Sequence, residues 1–282
     1  MQTCQRVSDL RAQLTQARSA GKRIALVATM GNLHEGHLQL IRLAKTLADV
    51  VVASIFVNPL QFGLNEDWEQ YPRTLERDSA MLSAEGCDLL FCPTETDMYP
   101  NGMETQTKVE VPTMTNILCG ASRPGHFLGV TTVVAKLLNM VQPDTAIFGI
   151  KDYQQLTVIN RMVEDLCIPV QIVAAPIARA DDGLALSSRN SYLTAEERPR
   201  AVALYQTLCR ARDTVQAGIR DYATIEASAQ QQLAQAGMRP DYFSIRQAKT
   251  LEPATASDTD LVLLGAVYLG KTRLIDNVTL TI

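Results

Sequence analysis

The sequence predicts a doubly wound α/β domain followed by a smaller α+β domain. Three observations carry this. Short, wholly apolar runs alternate with helical patterns up to about residue 175, as parallel strands buried on both faces require. The first of these runs leads through a tight glycine turn straight into a helix pattern. Beyond residue 240, apolar runs follow one another with no helix between the last two, which is the pattern of an antiparallel sheet. The proposed boundary divides the chain into residues 1–176 and 177–282.

Residues 7–20 read as a polar amphipathic helix ending near Gly21. Residues 23–28 form the first strand. The stretch Thr29-Met30-Gly31-Asn32-Leu33-His34-Glu35-Gly36-His37 follows, and the apolar spacing from Leu38 to Ala44 reads as a helix. A strand, a glycine turn and a helix start make an anion seat, because N-terminal N–H groups are unpaired and the helix dipole is positive there. Residues 50–57 are a second strand, ending in Asn58-Pro59-Leu60-Gln61-Phe62-Gly63. A helix covers 74–85 and a short strand 88–92, closed by Pro93. Residues 94–112 are irregular or hairpin-like. Arg123-Pro124-Gly125-His126-Phe127 opens a helix running to about Met140. A strand over 144–149 leads to Ile150-Lys151-Asp152, a helix covers 154–165, and a last strand covers 169–174. Such sheets bind ligands at the carboxyl ends of their strands, where these loops lie.

From about Pro176 the texture changes. The loop 181–190 is rich in groups that hold phosphate, above all Ser187, Ser188, Arg189 and Asn190. Thr194-Ala195-Glu196-Glu197 is a capping box, and Pro199 belongs to the first turn of a restarted helix. A helix over 224–236 and strands over 242–246, 261–269 and 272–280 complete the second, lid-like domain.

Composition bounds the function. The 282 residues carry a net charge of −4, and no Lys/Arg run makes a nucleic-acid groove. A small anionic substrate needs only a few local cations. No apolar run approaches the roughly 20 residues of a membrane span, and the N-terminus has no apolar signal region. The six cysteines lack a C-x-x-C pair and read as reduced thiols of a cytoplasmic protein.

A lone histidine is more often structural than catalytic, but His34 and His37 stand together in H-x-G-H after a strand, on one helix face. The competing reading, a zinc site recruiting His126, needs a third ligand at a spacing the chain does not offer. Lys151 and Asp152 could be solvated loop charges. Ser187, Ser188 and Arg189 could be an ordinary turn, Gln61 and Gln155 surface amides, and Arg123 a helix-capping cation. Their joint placement at one edge of the sheet favours a site.

Six segments, TMGNLHEGH (29–37), SIFVNPLQFG (54–63), YPRTLERD (71–78), RPGHFLGVTTVVAKLLN (123–139), FGIKDYQQL (148–156) and DGLALSSRN (182–190), give the chain a near full-length resemblance to the pantothenate synthetase (pantoate–β-alanine ligase) family, within the H-x-G-H nucleotidyl-transferase group. The resemblance implies a Rossmann-like first domain and an ATP-dependent, AMP-forming ligase joining pantoate to β-alanine through a pantoyl-adenylate, with Mg2+. It implies catalytic roles for His34, His37, Lys151, Ser187, Ser188 and Arg189, with His37 as proton donor. ATP would be bound by Met30, Gly31, Asn32, Leu33, His34, Glu35, Gly36, His37, Gly149, Ile150, Lys151, Asp152, Ala178, Leu186, Ser187, Ser188 and Arg189. Gln61, Gln155, Asn58, Arg123 and His126 would bind pantoate and β-alanine. A homodimer is implied, and neither nucleic acid nor membrane is a partner. Three positions depart from the family pattern: Ala28 stands where it has proline, Cys119 where it has an acid, and Ile150 where it has a polar residue. Two rivals follow from the same residues, another adenylyl transferase and a non-catalytic nucleotide-binding relative.

Overall fold

The computed structural model describes residues 1–63, 66 and 68–282. The chain groups into two compact units. The first comprises Met1–Ile150 with Val158–Pro176, the second Lys151–Thr157 with Ile177–Ile282.

The first unit is built on a six-stranded, all-parallel sheet. Its strands are β1 (Gln2–Cys4), β2 (Ile24–Thr29), β3 (Val50–Ile55), β4 (Leu89–Phe91), β5 (Thr145–Gly149) and β6 (Gln171–Ala175). They lie in the order β1-β4-β3-β2-β5-β6. The chain winds outward from β2 through β3 to β4, then returns to place β5 on the other side of β2. The order therefore reverses at the β2–β5 pair, and α/β sheets open a ligand crevice at that point. Residues 24–27 are fully buried, as expected of a strand covered on both faces.

Helices α1 (Val7–Ser19), α2 (Glu35–Leu47), α3 (Leu75–Ala84), the one-turn α4 (Glu95–Met98) and α5 (Cys119–Ser122), and α6 (His126–Val141) belong to this unit. Leu38, Ile41 and Ala44 repeat at helical spacing on α2 and are buried, Ile41 and Ala44 in the core with Val27, Val51 and Leu90. Helix α6 is apolar almost all round and accordingly almost wholly buried. Helix α7 (Tyr153–Asp165) has its first turn grouped with the second unit and the remainder with the first.

The second unit folds on the antiparallel sheet β7 (Arg239–Gln247), β8 (Asp260–Leu269) and β9 (Thr272–Thr281), in that order. Helices α9 (Ala203–Gln216) and α10 (Tyr222–Gln235) pack on it through Leu204, Leu208, Ile225 and Leu233, against Phe243 and Leu263.

Most sequence-derived elements are present within a few residues of their expected ends. Three differ. Strand β1 was not expected, since three residues show no periodicity; only pairing with β4 (Gln2 with Leu89, Cys4 with Phe91) makes them a strand. Residues 94–112 contain α4, capped reciprocally by Thr94 and Asp97. Pro199 does not open the main helix. It sits in the separate turn α8 (Glu197–Arg200), and the main helix starts at Ala203, after the chain has passed the peptide that proline cannot pair. The Thr194–Glu197 box does form: Glu197 accepts from the Thr194 N–H at 3.0 Å and donates its own N–H to the Thr194 hydroxyl at 3.2 Å.

No helix among the described residues is long and apolar enough to cross a membrane. All six cysteines are free thiols, and burial pushes those of Cys87 and Cys92 up to about 11.

One glycine fixes how α6 meets the loop after β3. A Cβ on Gly129 would lie 2.2 Å from the Leu60 carbonyl oxygen and 2.8 Å from the Gln61 nitrogen, both rigid backbone atoms. Alanine would gain about 1 kcal/mol of helix propensity but forces helix and loop apart, an overpacking of about 3 kcal/mol. Gly129→Ala should therefore destabilise by about 2 kcal/mol, read as a lower urea midpoint; an unchanged midpoint would show that the loop moves freely.

Candidate active site

The loop after β2 is shaped by one buried acid. Thr29, the last residue of β2, donates its hydroxyl to the Ser54 carbonyl at 2.8 Å and accepts from the Gly31 N–H at 3.2 Å. Gly31 adopts φ +80°, and a Cβ there would press on Ile55 at 3.1 Å and on Asp78 at 3.2 Å. Asn32 follows at φ +49°, a conformation asparagine tolerates. Asp78, on α3, is completely buried and accepts from the Asn32 N–H at 2.7 Å and the Leu33 N–H at 3.0 Å. The Thr74 hydroxyl adds a bond at 3.0 Å, and the Arg77 guanidinium lies 3.4 Å away. Leu33 turns its side chain into the core, so only its backbone is available to a ligand.

The two histidines cap α2. His34 is the N-cap residue, and its Nδ1 accepts from the Gly36 N–H at 3.1 Å. His37 Nδ1 accepts from the His34 N–H at 3.3 Å. The rings lie 4.1 Å apart, centre to centre. A nitrogen that accepts from a backbone N–H carries no proton, so each neutral ring holds its proton on Nε2. The arrangement differs from the seat of unpaired backbone donors expected above. Four of those donors, on Asn32, Leu33, His34 and Gly36, serve internal acceptors. Glu35 turns aside to pair with Arg42, which also binds Glu85 at 2.5 Å.

The loop after β3 holds a second cluster. Asn58 and Gln61 are buried; Asn58 caps and Gln61 ends a one-turn 3-10 segment, Pro59–Gln61. Asn58 Nδ2 donates to Gln61 Oε1 at 3.0 Å and to the Gly129 carbonyl at 3.1 Å. Tyr99 donates its hydroxyl to Asn58 Oδ1 at 2.6 Å. Arg123 is heavily engaged within the protein: Glu66 binds it at 2.7 and 2.5 Å, and it reaches the Gln61 carbonyl at 3.2 Å and His126 Nε2 at 3.1 Å. His126 Nδ1 lies 2.8 Å from that same carbonyl. Arg123 and His126 thus frame Gln61 by its backbone.

In the second unit, Lys151 and Asp152 form a loose pair at 4.0 Å, the lysine side chain mostly covered. Gln155 is half-buried on the first turn of α7. Two bonds tie this segment to its own sheet: Asn277 donates to the Lys151 carbonyl at 2.9 Å, and Tyr153 to the Ala248 carbonyl at 3.1 Å. Residues 178–190 fold back on themselves. Leu186 N–H bonds the Ala178 carbonyl at 2.9 Å, Gly183 turns the chain at φ +94°, and Asn190 donates to the Ala185 carbonyl at 3.0 Å. Ser187 accepts from the Arg189 N–H at 3.3 Å and starts the 3-10 turn Ser188–Tyr192. Beneath this loop Arg179 binds Asp276 at 2.6 and 2.9 Å and stacks 3.7 Å above the Tyr205 ring. Asp182 sits below the usual carboxylate range because Arg198 bonds it.

The predicted residues therefore divide. Met30 to His37, Asn58, Gln61, Arg123, His126, Gly149 and Ile150 lie in the first unit. Lys151, Asp152, Gln155, Ala178, Leu186, Ser187, Ser188 and Arg189 lie in the second. Ala28 pairs with Ser54, beyond the last β2–β5 pair at Leu26, Cys119 is buried at the start of α5, and Ile150 is half-buried. Sequence reasoning missed Asp78, Tyr99, Gly129 and Asn277. An acid inside the apolar spacing of α3 was the available signal for Asp78; the other three carry none.

Asp78→Ala should strip acceptors from two loop N–H groups and one hydroxyl, lowering stability by about 3 kcal/mol or more and removing turnover. Circular dichroism melts and an activity assay check this; a wild-type Tm would show that the loop holds itself.

Comparison with known proteins gives one consistent answer. The profile of the family described as Pantoate-beta-alanine ligase matches residues 2–279. Pantothenate synthetase of Saccharophagus degradans is 58% identical over 282 residues, covering 100% of this chain and 99% of that one. That of Pseudomonas putida W619 is 60% identical over 277 residues, covering 98% and 96%. A crystal structure of pantothenate synthetase from Thermus thermophilus superposes with a TM-score of 0.91 at 46% identity, covering 99% of each chain. The Francisella tularensis pantoate-beta-alanine ligase, solved with beta-gamma ATP and beta-alanine, gives 0.81 at 35% identity, covering 99% and 97%.

Proposed function

This chain belongs to the pantoate–β-alanine ligase family, and from that premise we propose that it joins pantoate to β-alanine using ATP, through a pantoyl-adenylate. A pantoate carboxylate oxygen attacks the α-phosphorus and pyrophosphate leaves. The β-alanine amine then attacks the acyl carbon, loses a proton, and AMP leaves with the former carboxylate oxygen. The product is pantothenate, the amide.

The observation that carries this reading is the state of the two histidines. Each Nδ1 is tied to a backbone N–H, so each Nε2 is a donor held on a rigid helix start. Donors fixed before charge develops stabilise a transferring phosphoryl group without reorganisation. We assign His34 and His37 to phosphate oxygens, His37 also as the proton donor. The backbone from Met30 to Gly36, with Gly149 and Ile150, borders the nucleotide. Gln61 binds pantoate, with Asn58, Arg123 and His126 shaping its surroundings. From the second unit, Lys151, Ser187, Ser188 and Arg189 bind phosphate as charged or hydroxyl donors, Gln155 binds pantoate, and Asp152, Ala178 and Leu186 border the adenosine.

Magnesium enters with ATP. Among the described residues no group of three or more His, Cys, Asp or Glu comes together as a cage. This suits an ion held chiefly by substrate phosphates and water, as Mg2+ prefers. We further propose a homodimer and a cytoplasmic setting, where ATP is available. The family resemblance supports the dimer, and β6 supplies an open sheet edge with half-buried Ile172 and Val173.

AMP release is the direct test. It should require pantoate, and its steady rate should require β-alanine; no AMP with every substrate and magnesium present overturns the reading. His34→Ala and Lys151→Ala should each lower turnover by roughly two to three orders of magnitude, with His34→Ala losing only about 1 kcal/mol of capping. Gln155→Ala should raise the KM for pantoate far more than that for ATP; equal effects would count against its assignment.

A further inference from the structure

The hydrogen-bond polarity around Asn58 has a single solution. Asn58 presents one side-chain atom to the Gly129 carbonyl at 3.1 Å and the other to the Leu60 N–H at 3.3 Å. A backbone carbonyl only accepts and a backbone N–H only donates. The atom facing Gly129 is therefore Nδ2 and the atom facing Leu60 is Oδ1. Nδ2 has two hydrogens. One goes to Gly129, and the other points at Gln61, 3.0 Å away. The Gln61 atom that receives it must be Oε1. That is the only hydrogen bond of the Gln61 side chain among the described residues, so both hydrogens of Nε2 remain for a ligand. Gln61 is nevertheless 7% exposed, and Nε2 is not among the sealed, unsatisfied atoms.

Tyr99 closes the chain from the other side. Its hydroxyl lies 2.6 Å from Asn58 Oδ1, which can only accept, so the phenol donates. Tyr99 itself is 3% exposed and packs its ring, tilted by 60°, against Phe56 with 6.0 Å between ring centres.

We propose that Tyr99 is a positioning residue: through Asn58 it holds the Gln61 amide with its carbonyl inward and its NH2 group turned to the substrate, selecting oxygen acceptors. The inference rests on Gln61 binding pantoate, whose carboxylate and hydroxyl oxygens are such acceptors. Helix α6 is part of the device. Only glycine at 129 lets its carbonyl approach Asn58, given the 2.2 Å clearance. Burial pushes the Tyr99 phenol well above its ordinary range, so it stays a donor throughout the working pH.

The test measures KM for pantoate, ATP and β-alanine, with melting curves, in four variants. Tyr99→Phe keeps the ring and removes the donor; it should raise pantoate KM roughly five- to tenfold with the other two KM values within about twofold. Gln61→Glu still accepts from Asn58 but offers no N–H, and should impair pantoate use as severely as Gln61→Ala. In the double variant Tyr99→Phe with Gln61→Ala, the tyrosine change should add nothing, because its effect runs through the amide. Multiplying effects in the double variant would overturn the relay, and so would equal rises in all three KM values or a wild-type pantoate KM in Tyr99→Phe or Gln61→Glu. A wild-type pantoate KM in Gln61→Ala would instead overturn the assignment of Gln61, and the relay with it.

Discussion

A buried carboxylate decides the chemistry at the start of α2. Asp78 has no solvent contact and satisfies two successive backbone N–H groups and a threonine hydroxyl. Burying a charge is unfavourable unless it is fully hydrogen-bonded, and here the loop supplies the donors. In exchange the loop acquires its shape. Gly31 and Asn32 take positive φ so that the N–H groups of Asn32 and Leu33 converge on one acid. The carboxylate also places negative charge at the positive pole of α2. Those donors are engaged, and His34 and His37 cap the helix through Nδ1.

The same logic recurs in neutral form after β3. Two backbone groups of fixed sense, the Gly129 carbonyl and the Leu60 N–H, impose a direction on Asn58, and Asn58 passes it to Gln61. In the second unit, Asn277 bonds the Lys151 carbonyl, while its neighbour Asp276 grips Arg179 beneath the serine loop. Each unit therefore carries its proposed ligand-binding groups on secondary structure braced by buried polar pairs. Such bracing is what holds donors within tenths of an ångström of a required position.

Local pattern made much of this legible. Apolar runs of five or six residues, buried on both faces, named β2, β3 and β5; the spacing of Leu38, Ile41 and Ala44 named α2. The H-x-G-H pair, Asn58 and Gln61 were visible because unusual residue types stood at strand ends. What escaped depends on partners far along the chain. Strand β1 exists only through β4, eighty-odd residues on. Tyr99 lies 41 positions from Asn58, and Asn277 lies 126 from Lys151. No window of sequence contains both members of such a pair.

By itself, then, the sequence determined the fold class, the order of elements and the residue types gathered at the carboxyl ends of the strands. Periodicity and turn chemistry are properties of neighbouring residues, and the chain cannot bury its apolar runs in many ways. Tertiary structure alone decided direction: which backbone N–H groups Asp78 consumes, which imidazole nitrogen keeps its proton, and which end of the Gln61 amide turns outward. A glutamine side chain carries donor and acceptor equally until a distant carbonyl and phenol break the symmetry. Hydrogen-bond sense is set by three-dimensional contact between residues far apart in the chain, here with a glycine at 129 letting its carbonyl come close to Asn58.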